Sequence, residues 1–299
     1  MQILTIVGKI PWRLRQRIGY ALGWCIGALP FRETRIARLQ FSLFAPTSES
    51  AGSATRKIFG HCAATVLESC AVEPMINEVP SRIACSDWDM VHSLLGQGKG
   101  LVALTAHYGN WELLAAYVAA QNIPLTVVGR QTRQSFFHTE IARIRKSYGV
   151  KTVWRESTSL SREIISDLKN ENVVAALIDQ DTDVQSTFVP FFGMPASTPS
   201  SLVRLALRRG TPIVAAFLRR NNDFTFSVKI SHLTGTTSVE DLLAQYHQLL
   251  EQEIREDPYQ WVWFHKRWRT TADDGKRPGK LYLKWLKDLE ERKKSRGEH

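Results

Sequence analysis

Between residues 91 and 220 the chain alternates two kinds of apolar pattern. Short, nearly continuous apolar runs (GLVALTAH, PLTVVGR, KTVWR, VVAALIDQD and PIVAAFLRR) are separated by stretches whose apolar residues recur every three or four positions. Those stretches are WELLAAYVAAQ, FFHTEIARIRKSYG, LSREIISDLKN and PSSLVRLALRRG. A short apolar run without a polar face suits a strand buried on both sides, and the longer spacing suits a helix lying over it. Strand and helix in turn predict an α/β fold, a mostly parallel β-sheet flanked by helices. FTFSVKI adds a strand, and VEDLLAQYHQLLEQEIRED reads as an amphipathic helix.

Before residue 90 the pattern is mainly helical. In TRKIFGHCAATVLESCA, helical spacing puts Ile58, Phe59, Cys62, Val66, Leu67 and Cys70 on one expected core stripe, with His61 beside it as a structural residue. The first 31 residues mix aliphatic and aromatic side chains with Lys9, Arg13, Arg15 and Arg17. Their longest uncharged run, residues 18–31, is shorter than the roughly 20 residues a spanning helix needs. No small-residue cleavage site follows it, so a secretory signal is not expected. Trp12, Tyr20 and Trp24 beside those cations suit a helix lying in the membrane interface, and an ordinary buried helix is the competing reading. The tail KLYLKWLKDLEERKKSRGEH is expected to start helical and end charged, with Leu281, Leu283, Trp285, Leu286 and Leu289 able to pack on the core or touch a membrane. The expected organisation is a basic amphipathic membrane-associating segment (1–31), a helical region packed on the core (32–90), an α/β core (91–270) and a basic tail (271–299).

Charge narrows the partners. Lys and Arg total 39 against 29 Asp and Glu, a formal net charge of +10, which draws nucleic acid, an anionic membrane face or an acidic protein. The run WVWFHKRWR interleaves aromatic and basic residues as a nucleic-acid surface does. Yet Trp261 and Trp263 alternate with Val262 and Phe264, which suits a buried strand or tight core segment, with His265, Lys266 and Arg267 as its polar exit. No nucleic-acid module is recognisable, and no nucleic-acid partner is expected. Cys25, Cys62, Cys70 and Cys85 show no metal-ligand spacing and read as reduced core residues. There is no G-x-G-x-x-G or G-K-[ST] phosphate loop and no Gly-x-Ser-x-Gly nucleophile elbow.

Two of the apolar runs end on groups able to trade a proton near neutral pH or hold such a group: LVALTAH on His107, and VVAALIDQD on Asp179 and Asp181. Ligands in open α/β sheets bind beyond such strand ends. His107 and Glu112 are five residues apart, about 140° around a continuous helix, where they would not meet. If His107 ends a strand and Gly109 turns the chain, Asn110 can cap a new helix with Glu112 in its first turn. The carboxylate could then hold one ring nitrogen while the other takes a proton from a hydroxyl. Equally, Glu112 could serve only the helix dipole beside a bystander histidine. Spacing leaves both readings open.

HYGNWE is similar to the His-x4-Glu motif of the glycerolipid (lysophospholipid) acyltransferase superfamily, and the chain most resembles its lipid A late acyltransferase branch, which adds secondary acyl chains to lipid A precursors. Further similar blocks follow in order over about residues 90 to 270: ARIRKSYG with Arg143 and Arg145, LIDQD, FVPFFG with Thr198 and the helix SLVRLALRRG, and DPYQWVWFHKRWR. The basic N-terminal segment is similar too. One departure is Gln180 between Asp179 and Asp181, where many lipid A enzymes carry histidine. The resemblance implies a membrane-associated O-acyltransferase in which His107, oriented by Glu112, is the general base for attack of an acceptor hydroxyl on an acyl thioester. It implies Arg143 as an oxyanion or substrate-positioning group, Asp179 and Asp181 as positioning residues, and Arg130 and Arg145 as phosphate contacts. Direct acyl transfer calls for no metal and no cofactor beyond the thioester, carried on acyl carrier protein or coenzyme A. The expected partners are that donor, an anionic lipid or glycolipid acceptor and the membrane surface, at the cytoplasmic face of a bacterial inner membrane. Another lysolipid acceptor would keep the same pair, and water as acceptor would make a thioesterase or lipid esterase. A basic lipid-binding membrane protein is the non-enzymatic alternative.

Overall fold

The computed structural model describes residues 7, 10–45, 47–70, 78–131, 135–271, 275–276 and 279–296, without side chains at 135–138, 275–276 and 279–280. Seven strands make the central sheet: β1 (Ile83–Ala84), β2 (Leu101–Thr105), β3 (Leu125–Gly129), β4 (Val150–Trp154), β5 (Val173–Leu177), β8 (Ile213–Arg220) and β9 (Phe226–Leu233). Their order is β1-β9-β8-β2-β5-β3-β4, and every pairing is parallel except β8 with β9. This is the α/β architecture that the alternating pattern predicts. FTFSVKI supplies β9, the one strand of the central sheet that follows its predecessor by a tight reversal and not through a helix.

Alternation along each strand divides the core between the two faces of the sheet. Val102, Leu104 and Val174 belong to one apolar cluster, covered by α7 (Leu160–Lys169), α8 (Ser201–Arg209) and α9 (Val239–Glu256). Leu101, Leu125, Val127, Val173 and Val214 belong to the other, under α4 (Trp88–Leu95) and α5 (Trp111–Ala120). Between β5 and α8 lies a hairpin, β6 (Ser186–Phe191) with β7 (Met194–Pro199). Three prolines within it hide its strand pattern from the sequence, and Phe192 and Gly193, both at positive φ, make its turn.

The N-terminal region is helical: α1 (Trp12–Ile26), α2 (Arg32–Phe44) and α3 (Ala51–Ser69). The expected apolar stripe on α3 is corrected by the structure. Its buried residues are Ala54, Thr55, Ile58, Gly60, Ala64, Thr65 and Glu68, while Val66 is 60% exposed. The reason is the nature of its partners. One side of α3 meets the backbone of α1, where Gly19, Gly23 and Gly27 allow contact too close for any side chain. A Cβ on Gly23 would stand 2.0 Å from the Phe59 carbonyl oxygen. Another part of α3 sends Thr65 and Glu68 into a polar network under the loop after β2.

The WVWFHKRWR segment is tight core, not strand. Trp261, Trp263 and Trp268 are buried in loop structure, and Trp261 forms only an isolated bridge with Tyr108. Arg267, read as part of a polar exit, is fully buried. It donates to the Ser197 carbonyl and the Thr198 hydroxyl. The tail forms α10 (Gly279–Ser295), which buries Tyr282 and Leu286 and leaves Leu281 exposed.

Candidate active site

The loop from β2 to α5 is built as the sequence suggests. Gly109 turns the chain at φ +59°, and a Cβ there would meet the Leu218 carbonyl oxygen at 1.7 Å, so only glycine fits. Asn110 caps α5, its Oδ1 accepting from the Leu113 N–H at 2.9 Å. The other end of the same amide donates to Glu68, which is ion-paired with Arg220 at 2.7 Å in a fully buried setting. Thr65 donates to the Gly109 carbonyl. Helix α3 thus fixes the turn that carries His107.

His107 lies two residues beyond β2 and Asp179 two beyond β5. These strands are neighbours with Thr105 level with Leu177, so the two side chains are brought together. His107 Nδ1 is 2.8 Å from Asp179 Oδ1, and Oδ2 accepts from the His107 backbone N–H at 3.0 Å and the Trp261 indole N–H at 2.8 Å. Burial alone would raise the Asp179 carboxyl. The facing His107 and these hydrogen bonds outweigh it and hold the group below the ordinary aspartate value. An ionised Asp179 only accepts, so Nδ1 carries the proton and Nε2 is left as the basic nitrogen. Trp111 packs edge-on to the imidazole at 5.0 Å between ring centroids.

Glu112 does not hold His107. Its carboxylate accepts from Arg145 Nε at 2.9 Å and Nη2 at 2.6 Å, a two-pronged pair with 16% and 11% side-chain exposure. Burial pulls the guanidinium down, and Glu112 more than offsets this, holding Arg145 above its ordinary value. The expected His107–Glu112 pair is therefore replaced by His107–Asp179 and Arg145–Glu112. A carboxylate in the first turn of α5 faces Arg145 on α6 (Ser135–Ser147), while the strand-end aspartate lies against the ring.

Two cavities meet here. The first, about 460 Å³, has His107, Trp111, Arg130, Arg145, Arg155, Gln180 and Thr182 among its lining residues. Arg130 follows β3 directly and Arg155 follows β4, so His107, Arg130 and Arg155 all stand at carboxyl ends of parallel strands. The second cavity is a narrow apolar tunnel under α5 with about 70 Å³ of free volume. Trp111, Val128, Arg145 and Leu177 line both, so the tunnel adjoins the first cavity next to the Glu112–Arg145 pair.

Arg143, expected at the oxyanion, is 47% exposed, bonds Glu140 and lines neither cavity. Of the two arginines in ARIRKSYG, Arg145 lines the cavity that holds His107. Asp181 is spent on structure, accepting from the Thr270 N–H at 2.6 Å and its hydroxyl at 2.8 Å, with Arg269 at 3.8 Å. Sequence reasoning missed Arg155, Trp111 and Trp261. The signal for Arg155 was present, since KTVWR ends on arginine as PLTVVGR does. No local signal marks an indole that will reach an aspartate 82 residues away.

Residues 1–270 match the family described as bacterial lipid A biosynthesis acyltransferase. A lipid A biosynthesis acyltransferase of Haemophilus influenzae is 28% identical over 120 residues, 38% of this chain and 39% of the relative. A phosphatidylinositol mannoside acyltransferase of Mycolicibacterium smegmatis is 23% identical over 131 residues, 42% of each chain. Each aligned stretch thus spans about two fifths of the relative's length.

Proposed function

The chain belongs to the bacterial lipid A biosynthesis acyltransferase family, and from that premise we propose that it moves a fatty acyl chain from a thioester to a hydroxyl of a lipid A precursor or related glycolipid. The observation that carries this reading is the meeting of a basic imidazole nitrogen, a buried arginine and an apolar tunnel at one point.

The chemistry follows from these groups. His107 Nε2 takes the proton of the acceptor hydroxyl as its oxygen attacks the thioester carbonyl. Asp179 keeps Nδ1–H pointed away and stabilises the imidazolium that forms. The carbonyl oxygen gains negative charge, and Arg145, a largely buried cation on the cavity wall, is placed to receive it. Its Nε and Nη2 are held by Glu112, leaving the Nη1 N–H groups for the oxyanion. When the carbon–sulfur bond breaks, the imidazolium returns the proton to the departing thiolate. The acyl chain lies in the tunnel, and Arg130 and Arg155 attract anionic groups of the acceptor or of a carrier-protein or coenzyme A donor.

Helix α1 supports attachment to a membrane. No helix among the described residues is long and apolar enough to cross one. Yet the outward face of α1 and the residues after it present Leu14, Leu22, Trp24, Ile26 and Leu29 beside Arg13 and Arg17, while the buried residues of the helix, beyond Trp12 at its start, are Arg15, Gln16, Gly19 and Gly23. That is the reverse of a soluble amphipathic helix and suits one lying in the interface, most naturally the anionic leaflet that a +10 protein favours.

Incubating purified protein with labelled acyl thioester and a lipid A precursor tests the reading. The expected product is acylated lipid, reduced about 10³-fold or more by His107→Ala. Free fatty acid with no acylated lipid would point instead to a thioesterase.

A further inference from the structure

The tunnel has a second end. Trp88, the first residue of α4, donates its indole N–H to the Tyr117 hydroxyl at 3.0 Å, with ring centroids 5.5 Å apart. Both residues line the tunnel, and Tyr117 is buried. The start of α4 is itself tied down, because the Asp87 carboxylate accepts from the Ile230 N–H of β9 at 2.8 Å. At the mouth, Val128 and Leu177 come from β3 and β5, while Val228 and Ile230 at the far side come from β9. With the strands in the order β9-β8-β2-β5-β3, three to four strand spacings separate the ends, about 14 to 19 Å.

Resting on the reading of the tunnel as the acyl site, we propose that the hydrogen-bonded Trp88–Tyr117 pair is the stop that sets the longest acyl chain this protein accepts. Alanines at 103, 115 and 216 keep the walls low along the way. Each methylene that fits inside gains about fourfold in affinity. A methylene beyond the stop has to separate indole from phenol and leave a buried hydroxyl without its partner. It also has to shift a helix start that is bonded to β9. Gain therefore turns to loss at one chain length. The indole N–H is turned onto the phenol oxygen, so the surface the pair shows to the chain end is mainly aromatic carbon.

The test is equilibrium binding of a graded series of straight-chain saturated fatty acids to the full chain, with transfer rates from the matching acyl thioesters measured alongside. For the wild type, affinity is expected to climb with length and then fall past a cut-off. Trp88→Ala is expected to move the cut-off longer by about two methylenes or more, and Ala115→Leu to move it shorter. Trp88→Leu serves if the alanine variant does not fold. The inference is overturned if folded Trp88 variants keep the wild-type cut-off, whatever Ala115→Leu does, or if the wild type binds no fatty acid. Binding needs no catalysis, so absence of acyl transfer would count against the acyltransferase reading while the binding profile still decides the stop.

Discussion

At the scale of single residues, the site separates two carboxylates that sequence alone would interchange. Glu112 is close to His107 in the chain, yet Asp179, 72 residues away, holds the ring. Local spacing could show that a histidine and a carboxylate flank a glycine turn. It could not show that β5 lies beside β2, because strand order is a property of the whole sheet. Once that order is known, the register of Thr105 with Leu177 puts His107 and Asp179 opposite one another. Glu112 is paired with Arg145 instead, and the proposed mechanism has it act through that arginine, which a double-mutant cycle can read. Arg145→Gln is expected to lower kcat about 10²-fold, the effect of losing an oxyanion donor. Glu112→Gln should lower it less, and the double variant no further than Arg145→Gln alone. Fully multiplicative losses would mean that Glu112 has a separate role.

Among elements, α1 carries the clearest departure from soluble packing. Its close approach to α3 rests on the spacing Gly19-x3-Gly23-x3-Gly27, which lets backbones touch and needs no apolar side chains. That spacing is visible in the sequence, but a search for apolar stripes overlooks it, and it also explains why the buried side of α3 departs from its apolar stripe. The side chains a helix usually buries are left facing outward, where Leu22 and Leu29 are 55% and 54% exposed. Leu22→Glu with Leu29→Glu is expected to release the protein from anionic vesicles in a flotation assay while leaving its melting temperature within a few degrees. Unchanged flotation would shift the contact to α10 or to the cationic groove between α2 and α10 lined by Arg35, Arg38, Lys284 and Lys287.

Across the whole molecule, the α/β class was legible because five apolar runs alternate with helical pattern, whereas the buried polar framework was not. His61, His247 and His265 are all held down to about 3, first by burial and in each case with an added push from a nearby arginine or other cation. Each binds its proton more readily in the unfolded chain, so stability falls as pH drops from the ordinary histidine value near 6.5 toward 3. Within that window each contributes a slope of up to about 1.4 kcal/mol per pH unit. Asp179, held below the ordinary carboxylate range, contributes stability that is present above the unfolded value and lost as pH falls through its lower folded value. Urea unfolding at stepped pH should therefore show midpoints declining below pH 6.5, well before carboxylates titrate. A midpoint that stays level down to pH 4.5 would mean the three histidines are not buried as neutral groups.

The most direct test is the rate of acyl transfer to a lipid A precursor for wild type, Asp179→Asn and Glu112→Gln, each first shown to be folded by thermal melting. The expected result is a fall in kcat of about 10²- to 10⁴-fold for Asp179→Asn, with KM for the acceptor little changed, and a smaller fall for Glu112→Gln. Transfer by Asp179→Asn at the wild-type rate, with the loss carried by Glu112→Gln instead, would contradict the assignment of His107 and Asp179 as the working pair.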